Sequence, residues 1–354
     1  MSNLSEYLDK LASSDETERA YAAEDLGHLN LPQAVVPLLE RLPNEPSAMV
    51  RESIFQALLR IEDDAALAGA IQQLDSDHPH VRNLAVNLLQ HKGSVAIPFL
   101  ERAMREGGRD TRKFVLDALS GIQSEDAGEI YAAALLDQDV NVVITAVEKL
   151  GNLRKTEFRS RIENLLQEDS HPMLMAVCLE ALAQIGNESS LAVIERYCPN
   201  LTALPSFCLT PCLKAIAALG GEREFKRILD LLPAPKEQFY PPILGSLIQL
   251  YERGVYRHSS PPEPSESLLA ALRSLVESHH PPSWRYQAAR VLGFWSDRED
   301  VSDSLVAGLS SLEKMVRLGA AEALRTSSRP GLEVLLASHE ARETEREVKQ
   351  ALTR

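Results

Sequence analysis

The sequence predicts an all-α protein, an α-solenoid of about ten helical-hairpin repeats. Three observations carry this. Apolar anchors recur at Leu26, Leu58, Leu89, Leu119, Leu150, Ile185, Leu219, Leu292 and Leu324, most of them 30 to 35 residues apart, the spacing of solenoid repeats. The positions four and three before each anchor are apolar throughout, from Ala22-Ala23 and Ile54-Phe55 to Ala320-Ala321, which makes one buried stripe on a helix. An arginine stands seven before the anchor as Arg19, Arg51, Arg82, Arg112, Arg285 and Arg317.

Taken in order, each unit reads as a short apolar helix, a polar turn and a second helix that carries the anchor. The first repeat pairs Leu4–Ala12 with Glu18–Leu26, and its polar first helix suits a capping repeat. The following repeats are regular to Gly151. Gly27, Gly151, Gly186, Gly220 and Gly293 follow their anchors directly, where a left-handed residue commonly ends a helix. From about residue 154 the pattern drifts. Val143, Cys178 and Cys212 replace the marker arginine, and prolines crowd 199–242, so helices are expected to restart at Pro211 and Pro241. The predicted organisation is a solenoid over 1–253, a Pro/Ser-rich linker or long loop at 254–265, and C-terminal repeats with a charged cap over 266–354.

The motifs Asp77-x-x-x-Val81-Arg82-x-x-Ala85 and Val316-Arg317-Leu318-Gly319-Ala320-Ala321-Glu322-Ala323-Leu324 resemble the HEAT-repeat proteins. The likeness is in particular to the short bacterial type also found in phycobiliprotein lyases, and it covers nearly the whole chain. It implies a right-handed superhelix with the first helix of each pair convex and the second concave. It also implies that an acid in the inter-helix turn pairs with the marker arginine, for which Asp15, Asp77 and Asp110 are the candidates. It leaves function open. One implied alternative is a phycobilin lyase or a chaperone of a tetrapyrrole-carrying protein, which absorbance after bilin addition would reveal. Another is a HEAT-like DNA glycosylase, which needs a concave face lined by Lys and Arg. A third, deoxyhypusine hydroxylase, holds two irons with repeated His-Glu pairs; this chain has one, His339-Glu340.

The formal net charge of −14 disfavours a nucleic-acid backbone or an anionic membrane as partner. No apolar run approaches the ~20 residues of a spanning helix, and Met1–Tyr7 shows no secretory pattern, so cytoplasm is the expected location. The four cysteines, Cys178, Cys198, Cys208 and Cys212, match no zinc spacing and read as core residues. No cofactor or metal is expected. His78, His80, His171, His279 and His280 flank prolines and belong to turns.

A concave second-helix layer would expose the positions two before each anchor, namely Glu24, Gln56, Asn87, Asp117 and Glu148. It would also expose those five before, namely Tyr21, Ser53, Leu84, Phe114 and Thr145. The result is a polar-acidic ladder with Tyr21 and Phe114 interleaved, suited to a basic or amphipathic segment of another protein. Trp284, Tyr286 and Trp295 form a second candidate patch. The chemistry-bearing loops of phosphate-binding and hydrolytic enzymes are not evident. The leading expectation is therefore a non-catalytic scaffold that grips a protein, with self-association left open.

Overall fold

The computed structural model describes residues 2–124, 127–168, 171–233, 235–325 and 327–353; Met1 and Arg354, ends of the predicted segments, lie outside them. The described residues are helical and turn, with no strand among them. They divide into two compact units, 1–161 and 162–354.

In the first unit the helices alternate between two layers. One layer holds α1 (Ser2–Leu11), α3 (Val35–Arg41), α5 (Asp64–Gln73), α7 (Ile97–Glu106) and α9 (Ala127–Ala134). The other holds α2 (Glu16–Leu29), α4 (Ala48–Arg60), α6 (Pro79–Lys92), α8 (Arg109–Ser120) and α10 (Val140–Asn152). Helices pack on the partner of their own hairpin and on the next member of their layer, as a solenoid requires.

The division falls inside α11 (Arg159–Glu168). The second unit continues with α12 (Pro172–Ile185), α13 (Glu188–Tyr197), α14 (Ser206–Leu219), α15 (Glu222–Leu229) and α16 (Tyr240–Glu252). It ends with α17 (Glu266–Glu277), α18 (Pro282–Leu292), α19 (Glu299–Gly308), α20 (Lys314–Leu324), α21 (Leu332–Glu340) and α22 (Arg346–Leu352). The last charged stretch, read as a charged cap, holds the helix pair α21 and α22.

The predicted stripe is the core. Every anchor and apolar pair is buried, apart from Val86 and Leu219, which are half-buried. Val143, Cys178 and Cys212 lie buried where the marker arginine stands elsewhere, so these repeats exchange a polar tie for apolar packing. All four cysteines are buried, with no disulfide among them.

Two expectations are corrected. The glycines after the anchors do not adopt left-handed geometry. Positive φ at glycine falls at Gly93, Gly254 and Gly331 instead. Gly27 lies inside α2, where a Cβ would stand 2.6 Å from the Ala57 Cα, and Gly293 approaches Ala323 in the same way at 2.6 Å from its Cβ. These glycines let successive second helices touch. Pro211 does not start a helix but sits inside α14. It forgoes a bond to the Phe207 carbonyl, and its buried neighbours Cys208, Leu209 and Cys212 hold the helix together. Pro241 does stand in the first turn of α16.

Segment 254–265 carries no helix and lies within the second unit. Gly254 turns the chain at φ +83. Tyr256 packs edge-on against Phe225 at 4.9 Å, and the Trp295 indole donates to the Pro262 carbonyl at 2.9 Å.

Candidate functional site

The marker arginines organise the turn edge of the array. In Arg19 the Nη1 corner donates to the carbonyls of Ser13 and Ser14, both at 3.0 Å. Its Nε and Nη2 edge clasps Glu45 at 2.9 and 2.8 Å. Arg112 repeats the arrangement with the Gly107 carbonyl at 2.9 Å and Asp137 at 2.7 and 2.9 Å. Arg317 does so with the Ser311 and Leu312 carbonyls and Glu343, the latter at 2.8 and 3.1 Å. The arginine therefore ties its own hairpin turn to the turn of the next repeat.

Each of those acids stands two residues before a helix N-cap and accepts that residue's amide: Ser47 to Glu45 at 2.9 Å, Asp139 to Asp137 at 2.8 Å, Glu345 to Glu343 at 2.9 Å. This overturns the expectation that Asp15, Asp77 and Asp110 serve the arginines. Asp15 caps α2 through the amides of Thr17 and Glu18, Asp110 meets Arg109, and Asp77 is exposed. An acid within the same turn is spent on its own helix start, whereas one in the next turn can reach across. Burial pushes the Glu45 carboxyl up, but Arg19, the Ser47 amide and Arg41 outweigh it and bring it down to about 2. Arg317 brings Glu343 down to about 2 against the opposing effect of burial.

The predicted ladder residues lie on the second helices of the first unit. Tyr21 is 63% exposed on α2, and Glu24, Asn87 and Glu148 are exposed on α2, α6 and α10. Gln56 is half-buried and donates to Glu52 at 3.0 Å. Asp117 meets Lys149 at 2.6 Å. Phe114 is half-buried beneath the Arg82 guanidinium, 5.3 Å from its ring centre. Two positions five before the anchor, Ser53 and Leu84, are buried instead of exposed, because neighbouring second helices cover that flank. The sequence reading missed the cations Arg82 and Lys149 among the ladder's acids; their helical offsets from Phe114 and Asp117, one repeat away, are the signal that would find them.

The second candidate group separates. Trp295 is 7% exposed and spent on the 254–265 loop. Trp284 stacks on His280 at 5.2 Å. Tyr286 donates to Glu322 at 2.7 Å, beside Arg290, which bridges Glu322 and Glu252. Burial, reinforced by Glu322, raises the Tyr286 phenol above its ordinary range. This network borders a cleft of about 680 Å³ floored by the stacked rings of Tyr251 and Phe294, 4.2 Å apart.

Paired helices, layer-on-layer packing and inter-repeat ties define an α-solenoid of stacked hairpins. The HEAT-repeat family model matches residues 4–83. The chain is also 26% identical over 229 residues to deoxyhypusine hydroxylase-B of Oryza sativa subsp. japonica, covering 61% of this chain and 70% of that protein. Among solved structures it is similar to Kap95p, described with RanGDP, at a TM-score of 0.61 and 13% identity, over 98% of this chain and 55% of that one. It is similar to the karyopherin Kap121p bound to RanGTP at 0.52 and 15%, over 98% and 44%. The chain thus spans about half the length of these karyopherins, and the likeness shows the fold alone. The residues present do not fit the iron pair that the hydroxylase resemblance implies. His339-Glu340 is a single pair on α21, and no group of three or more His, Cys, Asp or Glu among the described residues is placed to hold a metal. No described helix is long and apolar enough to cross a membrane.

Proposed function

We propose that this protein is a non-catalytic scaffold that holds a partner protein along the second-helix layer of its first unit, taken as the concave face. The observation that carries this is the row of Tyr21, Glu24, Gln56, Asn87, Phe114, Asp117 and Glu148 across five consecutive second helices. Each repeat contributes a small contact, and the sum over the row holds an extended or helical segment. A basic, partly apolar segment fits: its cations meet Glu24 and Glu148 and share Asp117 with Lys149, and its apolar face meets Tyr21 and the part of Phe114 that Arg82 leaves open. The net charge of −14 supports the same sign of partner and speeds its arrival. Four buried cysteines with no disulfide among them support a reducing, cytoplasmic setting.

The test is fluorescence anisotropy with labelled basic amphipathic peptides and charge-reversed counterparts. Binding should favour the basic set, weaken with salt, and fall at least about tenfold in a Glu24→Lys/Asp117→Lys/Glu148→Lys variant that keeps its helical circular dichroism. Equal affinity of the folded variant would sink the proposal.

A further inference from the structure

Three of the marker arginines, Arg19, Arg112 and Arg317, use their guanidinium in one way, and Arg51 departs from it in a single respect. As in Arg19, Arg112 and Arg317, its Nη1 corner donates to turn carbonyls, here Glu45 at 2.6 Å and Pro46 at 3.0 Å. In the other three, the Nε–Nη2 edge holds a carboxylate from the next turn. The Arg51 Nε is buried and without a partner among the described residues. The position that supplies the carboxylate elsewhere, two before the N-cap of the next second helix, is Ser76. Its hydroxyl accepts the His78 amide at 3.3 Å, as the acids do, but the side chain is too short to reach the arginine.

The Arg285 Nε donates to the Val276 carbonyl at 2.8 Å, and the Arg82 Nε, also buried without a partner among the described residues, belongs to a guanidinium that lies over Phe114. Arg51 instead borders a cavity of about 370 Å³ whose walls include Glu45, His78 and His80. Glu45 is already clasped by Arg19 and Arg41, so it leaves the Arg51 charge uncompensated there. Asp77, next to His78 in the chain, is exposed and does not line the cavity. A buried guanidinium N–H with no acceptor costs stability, and a carboxylate is the group whose paired oxygens match this edge.

We propose that Arg51, with His78 and His80, forms a binding site for a carboxylate supplied from outside the chain, in place of the internal acid that Ser76 does not provide. The site lies on the turn edge, away from the ladder, and stands independently of the scaffold reading. The carboxylate is either a small free acid or an Asp or Glu side chain of another protein.

The experiment follows the arginine Nε–H resonances of the full-length protein by NMR at constant ionic strength. Sodium acetate, an acidic blocked tripeptide (acetyl-Gly-Glu-Gly-amide) and inorganic phosphate are titrated separately. The Arg51 resonance should move saturably with both carboxylates while that of Arg19, already clasped, stays still. Tighter binding of the tripeptide than of acetate identifies a protein side chain as the source; the reverse identifies a small free acid. Ser76→Glu should fill the edge from within, shift the Arg51 resonance before any addition, and lower acetate affinity about tenfold or more. His78→Asn/His80→Asn should weaken binding in a folded protein. The proposal is overturned if neither carboxylate moves Arg51, if the folded Ser76→Glu variant responds like the wild type, or if phosphate binds more tightly than acetate.

Discussion

Glu45 shows how much one residue can carry in this array. Its side chain is 0% exposed, yet it stays charged because Arg19 and Arg41 grip it and the Ser47 amide completes its shell. Its carboxyl titrates at about 2, below the ordinary 4.5, so its contribution to stability is full above about pH 4.5 and drains away as pH falls toward 2. Glu343 has the same sign and the same window. Glu45→Gln should cost about 3 kcal/mol near neutral pH, since it strands two arginines beside a neutral amide. Urea melts recorded from pH 7 to pH 2 should show the variant's stability falling less steeply than the wild type's below pH 4.5. Parallel curves would show that this carboxylate carries no linkage. The role of Glu45 was not legible from the turn it sits in. Arg19 and Glu45 lie 26 residues apart, Arg112 and Asp137 25, Arg317 and Glu343 26. The tie appears only when one repeat's arginine is compared with the next repeat's turn, whereas the sequence reading paired within a turn.

At the scale of elements, hydrophobic period was a sound guide and backbone chemistry a poorer one. The anchors and their apolar pairs lie in the core because a stripe at helical spacing has one face to bury, whatever surrounds it. The glycines after the anchors and Pro211 were misread because tertiary packing decided their use. Gly27 is needed for contact between α2 and α4, and α14 runs through Pro211 because its buried face outweighs a missing bond. The ladder was legible in part: offsets from the anchor located Tyr21, Glu24 and Glu148 on the exposed side, but helix-to-helix coverage hid Ser53 and Leu84. The glycine account predicts a contrast. Gly27→Val should destabilise by about 1–3 kcal/mol, because the Ala57 backbone must move to admit the new atoms. Gly108→Ala, with nothing within 4 Å of the added Cβ, should change stability by less than about 1 kcal/mol, the loss of a glycine N-cap being opposed by the lower entropy of the unfolded chain. Similar midpoints for the two variants in urea would refute close approach as the reason for Gly27.

At the scale of the whole molecule, stability should be local, because each hairpin packs chiefly on its neighbours. The two compact units sharpen that expectation. Leu58 is buried in α4, and Leu58→Ala should cost about 2–5 kcal/mol. In a globular domain with one core, such a loss accelerates exchange of the most protected amides everywhere, since they open together. Here it should accelerate exchange in α2, α4 and α6 and leave α14, α18 and α20 near wild-type rates. Leu213→Ala in α14 should reverse the pattern, raising exchange in α12, α14 and α16 while α4 keeps its protection. Hydrogen-exchange mass spectrometry on both variants reads the result directly. Acceleration throughout the chain from either variant would mean one cooperative body, and binding on the first unit would then draw on the stability of all the repeats. Localised acceleration would mean that the ladder helices and the Arg51 cavity stand on the stability of residues 2–161 alone, so that a partner held there stabilises those repeats without tightening the rest.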